Sequence, residues 1–188
     1  MNIMSKSKKA KTACPNSTTR NPMVNDVRER RLMKELQDIT NNATTFTVDL
    51  VNDNLFEWHI KLHTVDKDSH LAEGMRANNI GYILLNMTFP DNFPFAPPFV
   101  RVVAPIVEGG YVLDGGALCL ELLTPNGWTA AYTIEAIVTQ VGSALIKGNA
   151  KIAKDGRKFS LKAAQASYKS LIKTHEKYGW VTPPKAEG

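Results

Sequence analysis

Phe46-Thr47-Val48-Asp49-Leu50 and Phe56-Glu57-Trp58-His59-Ile60-Lys61-Leu62 alternate apolar and polar side chains. Successive residues of a strand point to opposite sheet faces, so each stretch reads as a β-strand with one buried face. Asn52-Asp53-Asn54 between them is a turn signal, which makes the pair a hairpin. Ile83, Leu85 and Met87 repeat the alternation within 82–89, and 99–103 supplies a fourth apolar run. Four strands in sequence imply an antiparallel meander. The stretch between the second and third strands, rich in Asp, Ser and Asn, is expected to be a loop, with His70 in a turn.

Helical periods flank the meander. Leu32, Leu36 and Ile39 predict an amphipathic helix over 26–39 with an exposed basic face. A second helix starts near Thr133, with Ile134, Ile137, Val138, Val141 and Leu145 on one stripe and Gly148 past its end. The last helix runs from Ser160 as N-cap to Gly179 as stop, with Leu161, Ala164, Tyr168, Leu171 and Ile172 as its apolar positions. Between these blocks, residues 104–132 hold no steady period but contain seven glycines or prolines, Cys119 and Trp128. Irregular stretches this long inside a domain are usually functional. The expected class is α+β, with an N-terminal helix, a four-stranded meander and C-terminal helices packed on one sheet face.

The chain has 188 residues and a formal net charge of +5, but the charge is unevenly placed. Residues 1–25 carry five basic side chains and no acidic one, in a Ser/Thr/Asn/Lys context that reads as a disordered basic tail. The remainder, 26–188, is the expected folded domain and is formally neutral, so nucleic-acid binding by the fold is not expected. Within it, 39–146 carries 4 basic and 11 acidic residues, whereas 147–177 carries 9 basic and 2 acidic ones. The second block reads as a solvated lysine-rich helix face. With 2 cysteines, neither a disulfide scaffold nor a four-cysteine zinc site can be built. No apolar run is long enough to span a bilayer, and no apolar stretch follows the N-terminal lysines as in a secretory signal. A reducing compartment, nucleus or cytoplasm, is expected.

Cys119, in Gly115-Gly116-Ala117-Leu118-Cys119-Leu120-Glu121-Leu122, is the candidate nucleophile. Flanking glycines permit close approach of another chain, and a reactive thiol needs partial exposure. A buried packing cysteine is the competing reading. His59 and His63 on one strand are separated by about 13 Å at the usual rise, too far to share a metal. No metal site is expected, and without a histidine local to Cys119 a Cys/His hydrolase is unsupported. No phosphate-binding glycine loop occurs.

Phe89-Pro90-Asp91-Asn92-Phe93-Pro94-Phe95-Ala96-Pro97-Pro98-Phe99-Val100 resembles the proline-rich loop of ubiquitin-conjugating enzymes. The glycine three residues before Cys119, the leucine after it, Trp128, Thr133-Ile134 and the helix around Arg30-Arg31-Leu32-Met33-Lys34-Glu35-Leu36 are similar to the same family. The family's usual His-Pro-Asn before the cysteine is replaced by Glu108-Gly109-Gly110-Tyr111-Val112-Leu113-Asp114-Gly115-Gly116. This stretch, Glu121-Leu122-Leu123-Thr124-Pro125 and the ending from His175 to Pro184 resemble the Q branch of the family.

The resemblance implies the ubiquitin-conjugating fold and a thioester of ubiquitin on Cys119, received from an activating enzyme and passed to a substrate amine or a ligase. ATP would be used by the activating enzyme, with no cofactor bound here. With the asparagine missing, the Tyr111 hydroxyl or a backbone N–H of Gly109–Gly110 is the candidate oxyanion donor, against a packing role for Tyr111. Glu121 is the candidate orienter of an incoming lysine, against a solvated or structural carboxylate. Arg30, Arg31 and Lys34 would face the activating enzyme, and Phe95, Ala96, Thr129, Ala130 and Ala131 the ligases. The alternative is a catalytically weak or inactive binding module in which Cys119 only packs.

Overall fold

The computed structural model describes residues 22–153 and 158–179, with side chains from residue 26; the tail up to residue 21 and the ending from 180 lie outside the described residues. The first helix, α1 (Pro22–Asn42), begins four residues earlier than the apolar period predicts. Its buried stripe is half charged: Arg28 and Glu35 are buried alongside Leu32 and Ile39. Pro22 suits a first helical position, where its fixed φ is helical and its missing N–H has no partner to lose.

Strands β1 (Phe46–Val51), β2 (Asn54–Leu62), β3 (Ile83–Thr88) and β4 (Phe99–Ala104) form one antiparallel sheet in that order. The hairpin turn places Asn52 and Asp53 at φ 51° and 58°, the paired left-handed geometry that matches strand twist. Phe46 faces Leu62, Ile60 faces Leu85 and Leu85 faces Val102 across the ladders, and all of them are buried. A two-residue ladder joins β5 (Val107–Glu108) to β6 (Lys151–Ile152) within stretches that carry no strand period.

The expected loop around His70 instead contains α2 (His70–Ala77). Ser69 caps it, its hydroxyl accepting the Ala72 N–H at 3.1 Å, and Leu71, Ala72 and Met75 face the core. Helices α3 (Ile134–Lys147) and α4 (Leu161–Tyr178) have the predicted caps, Thr133 and Ser160 at their starts and Gly148 and Gly179 at their ends. The α3 stripe joins the sheet's buried face in one core. Helix α4 rests largely on a single helical turn at Asp114–Gly116 rather than on the sheet, so Leu161, expected to be packed, is 46% exposed.

A chain of aromatic contacts leads from the core to the irregular segment. Trp58 meets Phe89, Phe89 meets Phe93, Phe93 meets Trp128 and Trp128 meets Tyr132, with centroids 4.9–6.1 Å apart. Arg28 fastens α1 to the loop after β3: it donates to the Phe89 carbonyl, pairs with Asp91 at 3.0 Å and lies 3.7 Å over the Phe56 ring.

Candidate active site

Gly109, Gly110 and Tyr111 have φ of 75°, 64° and 60°, and this left-handed run turns the chain sharply after β5. The Gly110 N–H donates to the Gly148 carbonyl at 2.8 Å, pinning the turn to the end of α3. The chain then folds on itself: the Leu113 N–H donates to Ala117 at 2.8 Å and the Cys119 N–H to the Tyr111 carbonyl at 2.9 Å. Arg101 and Ala117 bridge this small hairpin to β4. Cys119 stands at its end, beside the Tyr111 backbone.

The flanking glycines do not leave room for an incoming chain, as the sequence suggested. A Cβ on Gly115 would lie 2.1 Å from the Ala164 nitrogen, and one on Gly116 would lie 2.1 Å from the Val102 oxygen. The space is filled by α4 and β4 of the same chain. Helix α4 also fastens the segment on both sides of the cysteine. Ser167 Oγ donates to the Asp114 carbonyl at 2.8 Å, and the Tyr168 hydroxyl donates to the Leu123 carbonyl. The Tyr168 ring meets Phe99 at 5.3 Å, and burial pushes its hydroxyl up to about 12.

Cys119 is 2% exposed, which corrects the expectation of a partly exposed thiol. Burial disfavours the thiolate and pushes the thiol up from 9.0 to about 11. In a Cys14→Ser background, alkylation of Cys119 by iodoacetamide is therefore expected to keep accelerating up to about pH 11. A plateau near pH 9 would show an ordinary exposed thiol. The linked stability has the same direction. Burial favours the protonated form, so the stabilisation is complete below pH 9.0 and lost as pH rises towards about 11.

Other candidates divide clearly. The Tyr111 side chain is half-buried and Glu121, two residues past the cysteine, is exposed at the start of a helical turn (Glu121–Leu123). His59 sits opposite Asp49 and Asn86 in the sheet, while the His63 ring contacts Thr47 Oγ1 at 2.9 Å. His175 Nδ1 lies 3.0 Å from the Gly179 carbonyl oxygen. With Val112, Leu113 and Leu171, His175 lines a groove of about 680 Å³ between α4 and the hairpin. Among the described residues, no three His, Cys, Asp or Glu converge to hold a metal.

The basic residues of α1 are not equivalent. Arg30 and Lys34 are exposed and pair within the helix with Asp26 and Asp38. Arg31 is half-buried and holds the segment after Trp128: it donates to the carbonyls of Ala130 at 2.7 Å and Tyr132 at 2.6 Å, and to Glu35 at 2.7 Å. Glu35 in turn accepts the Ile134 N–H at 2.9 Å, serving a free donor in the first turn of α3. Sequence periodicity missed this clasp because Arg31 read as part of an exposed basic face and the partners lie 99–101 residues away. Trp128 Nε1 donates to the Pro94 carbonyl at 2.8 Å, which joins the loop of Phe95 and Ala96 to that of Thr129, Ala130 and Ala131. Phe95 is 69% exposed.

With this architecture in place, the comparisons are specific. The family model for ubiquitin-conjugating enzymes matches residues 31–176, spanning the second half of α1, the sheet, the cysteine hairpin and most of α4. The chain belongs to the ubiquitin-conjugating enzyme family. It is 58% identical over 161 residues to the mouse Q-like protein 1 of that family, covering 83% of this chain and 100% of that protein. It is 50% identical over 168 residues to human ubiquitin-conjugating enzyme E2 Q1, covering 84% of this chain but 40% of the relative. The Q-branch resemblance thus holds over most of the chain. The solved structure of human ubiquitin-conjugating enzyme E2 G1 shares the fold, with TM-score 0.53 and 24% identity over 62% of this chain and 93% of that one.

Proposed function

We propose that Cys119 accepts the C-terminal carboxyl of ubiquitin from an activating enzyme as a thioester, then passes it to a substrate amine or to a ligase cysteine. The supporting observation is that Cys119 is the free cysteine among the described residues and ends the hairpin of the irregular segment, within a fold of this family. In the loading step the Cys119 thiolate attacks the carbonyl carbon of the incoming thioester and the activating enzyme's thiolate leaves. In transfer an amine attacks the same carbon, the C–S bond breaks, and the Cys119 thiolate leaves as the amine sheds a proton. ATP is consumed by the activating enzyme, and no cofactor is held here. The setting is nucleus or cytoplasm, whose reducing poise keeps such a thiol free.

Aminolysis also needs a donor for the developing oxyanion, whose loss costs about 3 kcal/mol. The family's asparagine is replaced, and the Gly110 N–H is committed to Gly148. Tyr111 is the donor we assign, with the exposed Glu121 as orienter or base for the amine. Arg30 and Lys34 face the activating enzyme, with Arg31 bracing the loop beside them. Phe95, Ala96, Thr129, Ala130 and Ala131 serve the ligase.

A second reading, a ubiquitin-conjugating-like binding module, is favoured by one observation: Cys119 is buried and its thiol sits up at about 11. Incubation with activating enzyme, ATP and ubiquitin, read on a non-reducing gel, separates the two. The carrier gives a thiol-sensitive adduct, absent in Cys119→Ala and replaced by a thiol-resistant oxyester in Cys119→Ser. Folded protein that forms no adduct under conditions that load another member of the family is the binding module.

A further inference from the structure

Helices α1 and α4 are both rich in basic side chains but treat them differently. Arg30, Arg31 and Lys34 of α1 each meet a carboxylate one turn away on the same helix. On α4, Lys162, Lys169, Lys173 and Lys177 are all exposed, and among the described residues no carboxylate pairs with any of them. At 3.6 residues per turn these four side chains fall within about 80° of one another. They lie opposite the packed side of Ala164, Tyr168 and His175. Lys169, Lys173 and Lys177 repeat at four-residue spacing, a like-charge arrangement that weakens a helix. Lys177 has a neighbouring aromatic face, with its Nζ 4.8 Å from the Tyr178 centroid, but no counter-charge. Glu176, the one carboxylate of α4, pairs with none of them.

We propose that this lysine ridge is a docking surface for a short acidic segment of a partner protein. Charge complementarity sets the sign of the partner, and the ridge and its surroundings set its kind. Lys162 to Lys177 spans about 22 Å along the helix, and the repeat of about 6 Å matches carboxylates spaced four residues apart on a partner helix. Beyond the ridge lies a body of opposite character, with 4 basic and 11 acidic residues in 39–146. A long polyanion that extended from the ridge over residues 39–146 would meet that excess of carboxylates, whereas a short acidic segment ends where the lysines do. A bilayer would need large apolar side chains interleaved with the charges; along the ridge the neighbours are Gln165, Ala166 and Ser170, and the exposed Leu161 and Tyr178 stand only at its two ends.

The test uses the full chain and a fluorescent sixteen-residue alanine peptide bearing glutamates at four-residue spacing, read by anisotropy at two salt concentrations. A 16-base-pair duplex and phosphatidylserine vesicles are run in parallel. The K162Q/K169Q/K173Q/K177Q variant, checked for an unchanged melting profile, is expected to lose peptide affinity at least tenfold. K34Q, on the paired face of α1, should change it less than twofold. Three results would overturn the proposal: no peptide binding by the wild type, equal binding by the quadruple variant, or a larger loss for duplex or vesicles than for the peptide. Equal binding would assign the affinity to the basic tail, which both proteins carry.

Discussion

Glu35→Ala is expected to destabilise the protein by about 3 kcal/mol, lowering its melting temperature by about 6–12 °C. Glu35 is 6% exposed and each carboxylate oxygen is used: Oε1 accepts from Arg31 and Oε2 from the backbone of Ile134. Alanine leaves the Ile134 N–H without its acceptor and Arg31 without its counter-ion, in a partly desolvated site where both losses are expensive. It also removes a negative charge from the positive end of the α3 dipole. Glu35→Gln ranks the two contributions. The amide oxygen still accepts the Ile134 N–H but carries no charge for Arg31, so about half the loss is expected. Equal melting temperatures for wild type and Glu35→Ala would mean that the clasp contributes nothing to holding α1 on the segment after Trp128.

That clasp also marks where sequence reading stops. The strands were legible because alternation is local and one face is buried: Phe46, Trp58, Ile60 and Leu62 all point inward as their spacing requires. The caps of α3 and α4 were legible because Thr133, Ser160, Gly148 and Gly179 act within a turn of their own positions. Helix α2 was not, since an eight-residue helix offers only Leu71 and Met75 as a stripe, and Ser69 caps it without a glutamate at the third position. Arg28 and Glu35 are charged residues that become buried, and Arg31 half-buried, through partners 61–101 residues away, which no local pattern records. The same holds for Cys119. Its place in an irregular segment could be read, but its burial arises in a hairpin that α4, 42 residues later, fastens at Asp114 and Leu123.

Under the proposed function, a cysteine segment fastened in this way ties the chemistry to the seating of α4. If Cys119 is to meet a ubiquitin thioester, the hairpin or the helix has to yield, and the contacts that resist are few and nameable: the Gly115 seat, Ser167 to Asp114, and Tyr168 to Leu123. The basic ridge lies on the far side of the same helix, so a partner held there touches the element that fastens the segment around Cys119.

The Gly115 seat gives the second large effect. In Gly115→Ala the new Cβ would lie 2.1 Å from the Ala164 nitrogen, 2.7 Å from the Ala163 carbonyl carbon and 2.7 Å from the Ala164 Cα. All three are backbone atoms, so no rotamer change relieves the clash and α4 itself must shift. Its φ of 77° adds the cost of holding an L-residue in the left-handed region, about 1–2 kcal/mol. With overpacking at about 1–3 kcal/mol, the expected total is about 2–5 kcal/mol. Gly142→Ala is the opposite case: it lies inside α3, its Cβ would meet only Leu62 at an ordinary 3.7 Å, and a stabilisation of about 0.5–1 kcal/mol is expected. The two alanines should thus move the melting temperature in opposite directions. Alkylation of Cys119 then separates local from global effects. If α4 covers the thiol, Gly115→Ala should speed labelling at temperatures well below its melting transition, while Gly142→Ala should leave the rate unchanged. Labelling that accelerates only in step with unfolding would mean that α4 supports the hairpin but does not shield Cys119.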